Sequence, residues 1–435
     1  MPYDNATNAP DPAPTPGYRA LLGNREFAGL YAGFTLTVAA STLSGFALGT
    51  LVDRSTGSPF LTAVSMYGAT FATVLGATTL MSVADGDRPR RTLVALQFVA
   101  LAGACAQAVP GLPLAARFGL LLLLGFFQSL NTGTRMGLLA EVVPASAYVP
   151  ARSLMNITAG GTAVLGFTLG ALLLRHLTPQ GLFLTAAALT AAGLAVTAAT
   201  VRERSVRPPR RPGLRETWTT NAALLSRSGP RALLLNLWVP NGLIVGCEAL
   251  FIPYAQDHAG VLLAAASAGM LLGDLTVGRL LTAAWRRRSA FALRLLLAAP
   301  YLLFALHPST PVAAVAVFLA SAGFAATLPL QERLFALTPE QVRGQVQGVE
   351  SAGRMTWQGI GAALAGGTAQ FLSPATTITA LAALSVAVTV LSRPSVERTG
   401  PCPSRHAHHD GDGATERRRR CRRTRLGCAH ERHRR

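Results

Sequence analysis

The chain has 435 residues, of which 50% are hydrophobic and only 14% charged, with a net charge of +19; soluble domains carry about 25% charge. It contains no lysine, since all 39 basic residues are arginine. That excludes a Walker A lysine and a Schiff-base lysine, and with them ATP hydrolysis or imine chemistry on this chain. The five cysteines form no disulfide framework and match no zinc spacing. No cofactor, metal site or enzymatic motif is expected, and the high net charge does not argue for nucleic-acid binding.

Residues 1–24 are rich in Pro, Asp, Asn and Thr, with no basic-then-apolar start of the signal-peptide kind. They read as a disordered cytoplasmic segment, the first apolar helix then being its own insertion signal. Twelve apolar runs follow, each near the roughly 20 residues needed to cross a bilayer: 27–50, 60–83, 92–110, 114–138, 153–174, 181–201, 231–253, 259–282, 290–307, 311–334, 345–371 and 375–392. Stretches such as LTAAALTAAGLAVTAATV show no polar face at helical spacing. The expected class is an all-α, polytopic membrane protein of twelve transmembrane helices. Cys105 and Cys247 fall inside these helices as small packing residues.

The arginines set an orientation. Loops after even-numbered helices carry Arg88, Arg90, Arg91, Arg152, the cluster from Arg202 to Arg215, Arg286, Arg287, Arg288 and Arg343. Loops after odd-numbered helices carry only Arg54, Arg117 and Arg175. By the positive-inside rule both termini lie in the cytoplasm of a multi-pass protein of the cell (inner) membrane. Residues 202–230 form the longest polar break and read as a cytoplasmic linker. Leu214 to Leu225 is either an amphipathic surface helix or a solvated loop. The linker separates two six-helix halves, 25–201 and 231–392. Arg90–Arg91 recur at Arg286–Arg287, and Pro144 at Pro339, at nearly the same offset. Residues 393–435 hold thirteen Arg and five acids and read as a disordered basic cytoplasmic tail.

At the loop after the second helix, SVADGDRPRR resembles the G-x-x-x-D-R-x-G-R-R motif of the major facilitator superfamily, with Asp85, Arg90 and Arg91 matching. Gly278, Arg286 and Arg287 repeat it in the second half, without the Asp. The fifth helix, GGTAVLGFTLGALL, is similar to the family's exporter motif at Gly166 and Gly170, while Phe167 replaces its Pro and Ala171 its last Gly. Gly269 and Gly273 repeat the four-residue spacing in helix 8. The resemblance, to bacterial efflux-type members, covers about residues 20–393. It implies a gating role for the basic loop and close packing of helices 5 and 8 at the interface of the halves. Gln128 stands where family antiporters show Gln-Gly, but Gly125 replaces the Arg expected before it. Arg135 lies two turns further on.

Acids inside a membrane are costly and mark partners or ion pathways. Asp274 in helix 8 and Glu248 in helix 7 are candidate proton-coupling acids; static partners are the alternative. Pro240, Asn241, Gly242 and Pro253 mark helix 7 for a kink or break. Glu332, Arg333, Glu350 and Arg354 suggest a cytoplasmic charge network. Gln128, Asn131, Arg135, Asn156 and Gln358 are candidate cavity residues, as are Asn236 and Gln331. The function so implied is secondary active transport by alternating access: proton-coupled export of a small amphipathic molecule, or alternatively import of a small nutrient, by a monomer in the lipid bilayer. A membrane sensor has no need of two matched gates.

Overall fold

The computed structural model describes residues 18–79, 88–203, 222, 224, 226–339 and 343–397. Asp85, most of the 202–230 segment, including Leu214 to Asn221, and the tail beyond residue 397 lie outside them. Among the described residues the secondary structure is helical. The helices are α1 (Tyr18–Leu22), α2 (Arg25–Thr56), α3 (Pro59–Tyr67), α4 (Ala69–Thr79), α5 (Pro89–Gln107), α6 (Leu114–Val142), α7 (Ala145–Leu173) and α8 (Pro179–Thr200). After the 202–230 segment come α9 (Ser228–Ala249), α10 (Phe251–Ala255), α11 (Ala259–Leu275), α12 (Ala283–Ala298), α13 (Thr310–Ala322), α14 (Thr327–Ala336), α15 (Arg343–Thr368) and α16 (Pro374–Glu397). Among the described residues, nine helical stretches are long and apolar enough to cross a membrane. One of them, Ser228–Leu280, is 53 residues long, far more than a ~30 Å hydrocarbon layer needs. It is broken at Gln256, whose φ of 45° is left-handed.

Helix starts follow from local chemistry. Ser58 and Thr178 each accept a backbone N–H from the first turn, and each is followed by a proline, whose missing N–H costs nothing there. Asn24 caps α2 by accepting from the N–H groups of Glu26 and Phe27. Two boundaries differ from the sequence reading. The expected loop 139–152 is almost wholly helical, because α6 runs to Val142 and α7 starts at Ala145. Pro144 sits just outside α7, where its ring is tolerated, and Pro150 is accommodated within it. In the second half α12 begins at Ala283, capped by Thr282, so Arg286, Arg287 and Arg288 are helical rather than in a loop. Helix α9 runs through Pro240 and Gly242 unbroken, and its interruption comes at Leu250.

The packing repeats. Before residue 203, α2 packs on α7 and α8, α4 on α6, and α5 on α6 and α8. After residue 228, α9 packs on α15 and α16, α11 on α13, and α12 on α13 and α16. Two seams join the first set of helices to the second: α7 against α11, and α3 and α4 against α15. In the first seam Gly160 meets Leu271, and Gly260 meets Phe167 and Ala171, so these helices run antiparallel. In the second, Gly366 meets Phe60 and Ala63, and Gly359 meets Thr70 and Phe71, again antiparallel. The largest buried cluster, including Phe46, Phe251, Tyr301 and Phe304, spans both sets near the end of the bundle that carries Ser58.

Candidate functional site

At that Ser58 end the two sets are tied together. Arg54 pairs with Asp257 at 3.3 Å. Gln370 donates to Ser58 Oγ at 2.7 Å. Ile252 lies so close to Gly49 that a Cβ there would stand 2.7 Å from Ile252 Cδ1. Around these ties lies a polar recess of about 950 Å³, lined from both sets by Asp53, Arg54, Arg175, Asp257 and His258 among others.

Beneath this closure sits Glu248, 4% exposed. The Tyr67 hydroxyl of α3 donates to Glu248 Oε2 at 3.5 Å, across the boundary between the two sets. Glu248 Oε1 is buried and has no hydrogen-bond partner among the described residues. Tyr301, fully buried and stacked on Phe251 at 6.2 Å, lies within electrostatic reach of the same carboxyl. A buried carboxyl with one long hydrogen bond and no described cation beside it is under-satisfied. Its neighbours belong to different helices, so the energy of its environment depends on how those helices are arranged.

The other candidate acid is different. Asp274 is exposed, with no hydrogen bond or ion pair among the described residues. The register of α7 against α11 places it level with Asn156, also exposed, toward the end of the bundle that carries Pro144. Around Glu248 the sets are closed over the site, whereas Asp274 stands on an open flank of the seam.

The cavity candidates separate. Gln128 and Asn131 share an open pocket of about 270 Å³ lined by residues of the first set alone, with Ser41, Ser44 and Thr73 on its wall. Arg135 is not a free cavity cation: it is 5% exposed, donates to Asn131 Oδ1 at 2.7 Å and lies 5.0 Å over the Phe34 ring. Gln358 donates to Asn241 Oδ1 at 3.0 Å within the second set. Asn236 lies away from both, bonded to Ser392 of α16.

The four glycines expected at the meeting of helices 5 and 8 are turned elsewhere. Gly166 and Gly170 pack on Thr42 and Phe46 of α2, and Gly269 and Gly273 on Phe318 and Ala322 of α13. The α7–α11 seam uses Gly160 and Gly260 instead. At about 100° per residue, Gly260 and Gly269 lie on opposite faces of α11. Matching four-residue spacing marks a close face, but does not say which neighbour it meets.

The basic motif residues brace helix ends. Arg90 donates to the Ala198 carbonyl at 2.6 Å, near the C-terminus of α8, and Arg91 pairs with Glu203 at 3.6 Å. Arg286 pairs with Glu332 at 2.7 Å. The carbonyl of Arg287 accepts from Arg333 at 3.2 Å. Gly278 lies in a π-helical turn, Thr276–Leu280, near Leu328. Among the described residues the expected charge network shows two parts: Glu350, 2% exposed, pairs with Arg354 at 3.1 Å and accepts from Gln331 at 3.2 Å, and Arg286 pairs with Glu332.

No family model matches the sequence, and no curated protein matches it. Solved structures do. The nucleoside transporter NupG is similar with a TM-score of 0.70 at 12% identity, over 86% of this chain and 100% of that one. A POT family transporter in complex with a thioalcohol conjugated peptide gives 0.67 at 13%, over 88% and 97%. A POT family transporter in complex with 5-aminolevulinic acid gives 0.66 at 13%, over 89% and 99%. The chain shares the fold of these structures. These transporters belong to the major facilitator fold, the superfamily that the basic loop motif resembles.

Several site features escape sequence reading. Tyr67, the partner of Glu248, lies 181 residues away from it. Arg117, expected in an external loop, is 3% exposed and donates to the carbonyls of Gln107, Val109 and Leu112, capping α5. Arg294, inside the apolar run 290–307, is also 3% exposed. The repeat offset does not flag it, since the shift that carries Arg90 onto Arg286 sets Arg294 against Phe98.

Proposed function

We propose that the protein is a secondary transporter of a small molecule, working by alternating access between two sets of six membrane helices, 25–201 and 231–392, in a cell membrane with both termini cytoplasmic. The observation that carries this reading is the repeated packing pattern joined by two antiparallel seams. Matched sets that touch along two lines can rock about them and expose a central path to either side. Helices α5 and α15, too polar to count among the nine apolar stretches, complete the twelve when the long stretch is divided at Gln256. In this orientation the Ser58 end faces outward and is closed by Arg54–Asp257 and Gln370–Ser58.

Glu248 is the coupling acid of this proposal. Gain or loss of its proton alters the cost of burying it beside Tyr67 and so biases opening of the outer end. Asp274, exposed at the inner flank, is the second proton site.

For direction, the reading rests on two supports that differ. The glycines of α7 that resemble an exporter motif pack on α2 and not at the seam, which removes their weight for drug export. The names of the structural neighbours, peptide and nucleoside transporters, support import of a small polar nutrient. The test is uptake of labelled peptides, nucleosides and amphipathic drugs into cells and inside-out vesicles, with and without the gene. Uncoupler-sensitive cellular uptake of a nutrient supports import. Uncoupler-sensitive loading of a drug into inside-out vesicles returns the reading to export, and no gene-dependent flux of any compound contradicts transport.

A further inference from the structure

Arg294 is a buried cation with no counter-ion among the described residues. From α12 its Nη2 donates to Ser392 Oγ of α16 at 3.2 Å, while its buried Nε has no partner. Ser392 Oγ lies 2.6 Å from both Asn236 Oδ1 of α9 and the Val388 carbonyl, which share its one proton, and Asn236 Nδ2 donates to the Ala232 carbonyl at 2.7 Å. In the first set the corresponding tie, between α5 and α8, is neutral: Gln97 donates to Thr197 Oγ1 at 3.3 Å. A neutral amide therefore suffices to join these two helices, and the charge of Arg294 is surplus to packing. An uncompensated buried guanidinium is costly and calls for an anion.

The place for one adjoins it. A groove of about 740 Å³ runs between α9 and α16 toward the Pro144 end. Arg231, Asn236 and Ser392 supply its polar wall, and Leu235, Val239 and Val388 its apolar one. Ser392 and Asn236 are the groups through which Arg294 acts on the groove. No acid is among its described lining residues, whereas the corresponding recess between α2 and α8 contains Glu26 and Glu203 beside its arginines.

We infer that this groove is a binding site for an anionic phospholipid of the inner leaflet. The phosphate sits against Arg231 and the Ser392–Asn236 pair that Arg294 polarises, and an acyl chain follows Leu235, Val239 and Val388. The inference rests on the membrane reading above but not on any substrate or coupling ion.

The test is native mass spectrometry of the full chain, delipidated and then titrated with phosphatidylglycerol or phosphatidylcholine. The expected result is one retained phosphatidylglycerol, not matched by phosphatidylcholine. Arg231→Gln and Arg294→Gln should each weaken it about fivefold or more, as an arginine near a charged headgroup contributes about that factor. Arg91→Gln, on the other set, should leave it unchanged. Arg231 is exposed, so its variant keeps the test open even where Arg294→Gln fails to fold. Equal retention of the two lipids, or unchanged phosphatidylglycerol retention in Arg231→Gln, overturns the proposal. So does displacement by millimolar inorganic phosphate, which would make the occupant a free anion. Loss of transport activity in the wild type would bear on the transporter reading and leave the lipid measurement standing.

Discussion

Glu248→Gln isolates the proposed coupling step. The substitution keeps the shape of the side chain and an oxygen that accepts from Tyr67, whose bond to Glu248 Oε2 is a long 3.5 Å. What it removes is the ability to gain or lose a proton at a buried position whose second oxygen has no described partner. One carboxyl moves at most one proton per cycle. A gradient of one pH unit is worth about 1.4 kcal/mol per proton, hence about a tenfold accumulation of a neutral substrate at one-to-one coupling. In proteoliposomes with such a gradient, the wild type should reach about tenfold accumulation of its substrate. Glu248→Gln should exchange substrate across the membrane yet fail to concentrate it, so that the ratio stays near one. Proton uptake on substrate addition, read with an entrapped pH dye, should vanish in parallel. A variant that still accumulates tenfold would refute the role given to Glu248, and the same experiment on Asp274→Asn would then decide whether the exposed acid carries the proton instead.

Three further perturbations probe the architecture. Gly246→Ala would place a Cβ 2.5 Å from the Gly361 carbonyl oxygen, so α9 and α15 must part; overpacking of this kind costs about 1–3 kcal/mol, and a thermal midpoint in detergent equal to the wild type's would contradict the packing. Arg117→Leu leaves three carbonyls near the end of α5 without their donor; a loss of about 1–3 kcal/mol is expected from thermal unfolding, and no loss would mean water replaces the guanidinium. The Arg54–Asp257 pair has side chains 51% and 84% exposed; a double-mutant cycle on the outer closure should give a coupling below about 1 kcal/mol that shrinks with salt, and a larger, salt-independent value would show that the pair is buried when the protein sits in its membrane.

The helical bundle is legible because crossing a bilayer forces long apolar runs, and each of the twelve runs contains or overlaps a helix. Ends are less legible. Residues 139–152 contain two prolines and two charges, yet are nearly all helical: Pro144 sits just outside α7, where it removes no helical hydrogen bond, and α7 carries Pro150 inside it at the loss of one. Glu248 is visible as an acid among apolar residues. Its environment is not, because Tyr67 and Tyr301 come from helices that only the fold brings near. The glycine spacings of α7 and α11 carry a true signal of close approach with the wrong neighbour, since a four-residue period fixes one face and not its partner. Arg294 is hidden by its apolar run, and the offset that aligns Arg90 with Arg286 sets it against the apolar Phe98.

Alternating access requires that the two sets rock so that one end closes as the other opens. Pulsed electron–electron distances in lipid nanodiscs test this directly, with one spin-label pair at Ser55 and His258 on the Ser58 end and another at Arg152 and Arg279 on the Pro144 end. A rocking mechanism predicts a short outer distance in the outward-closed form. On adding substrate or shifting pH, the outer distance should lengthen while the inner one shortens, by several ångströms each. Distances that stay fixed, or that lengthen together at both ends, would contradict alternating access.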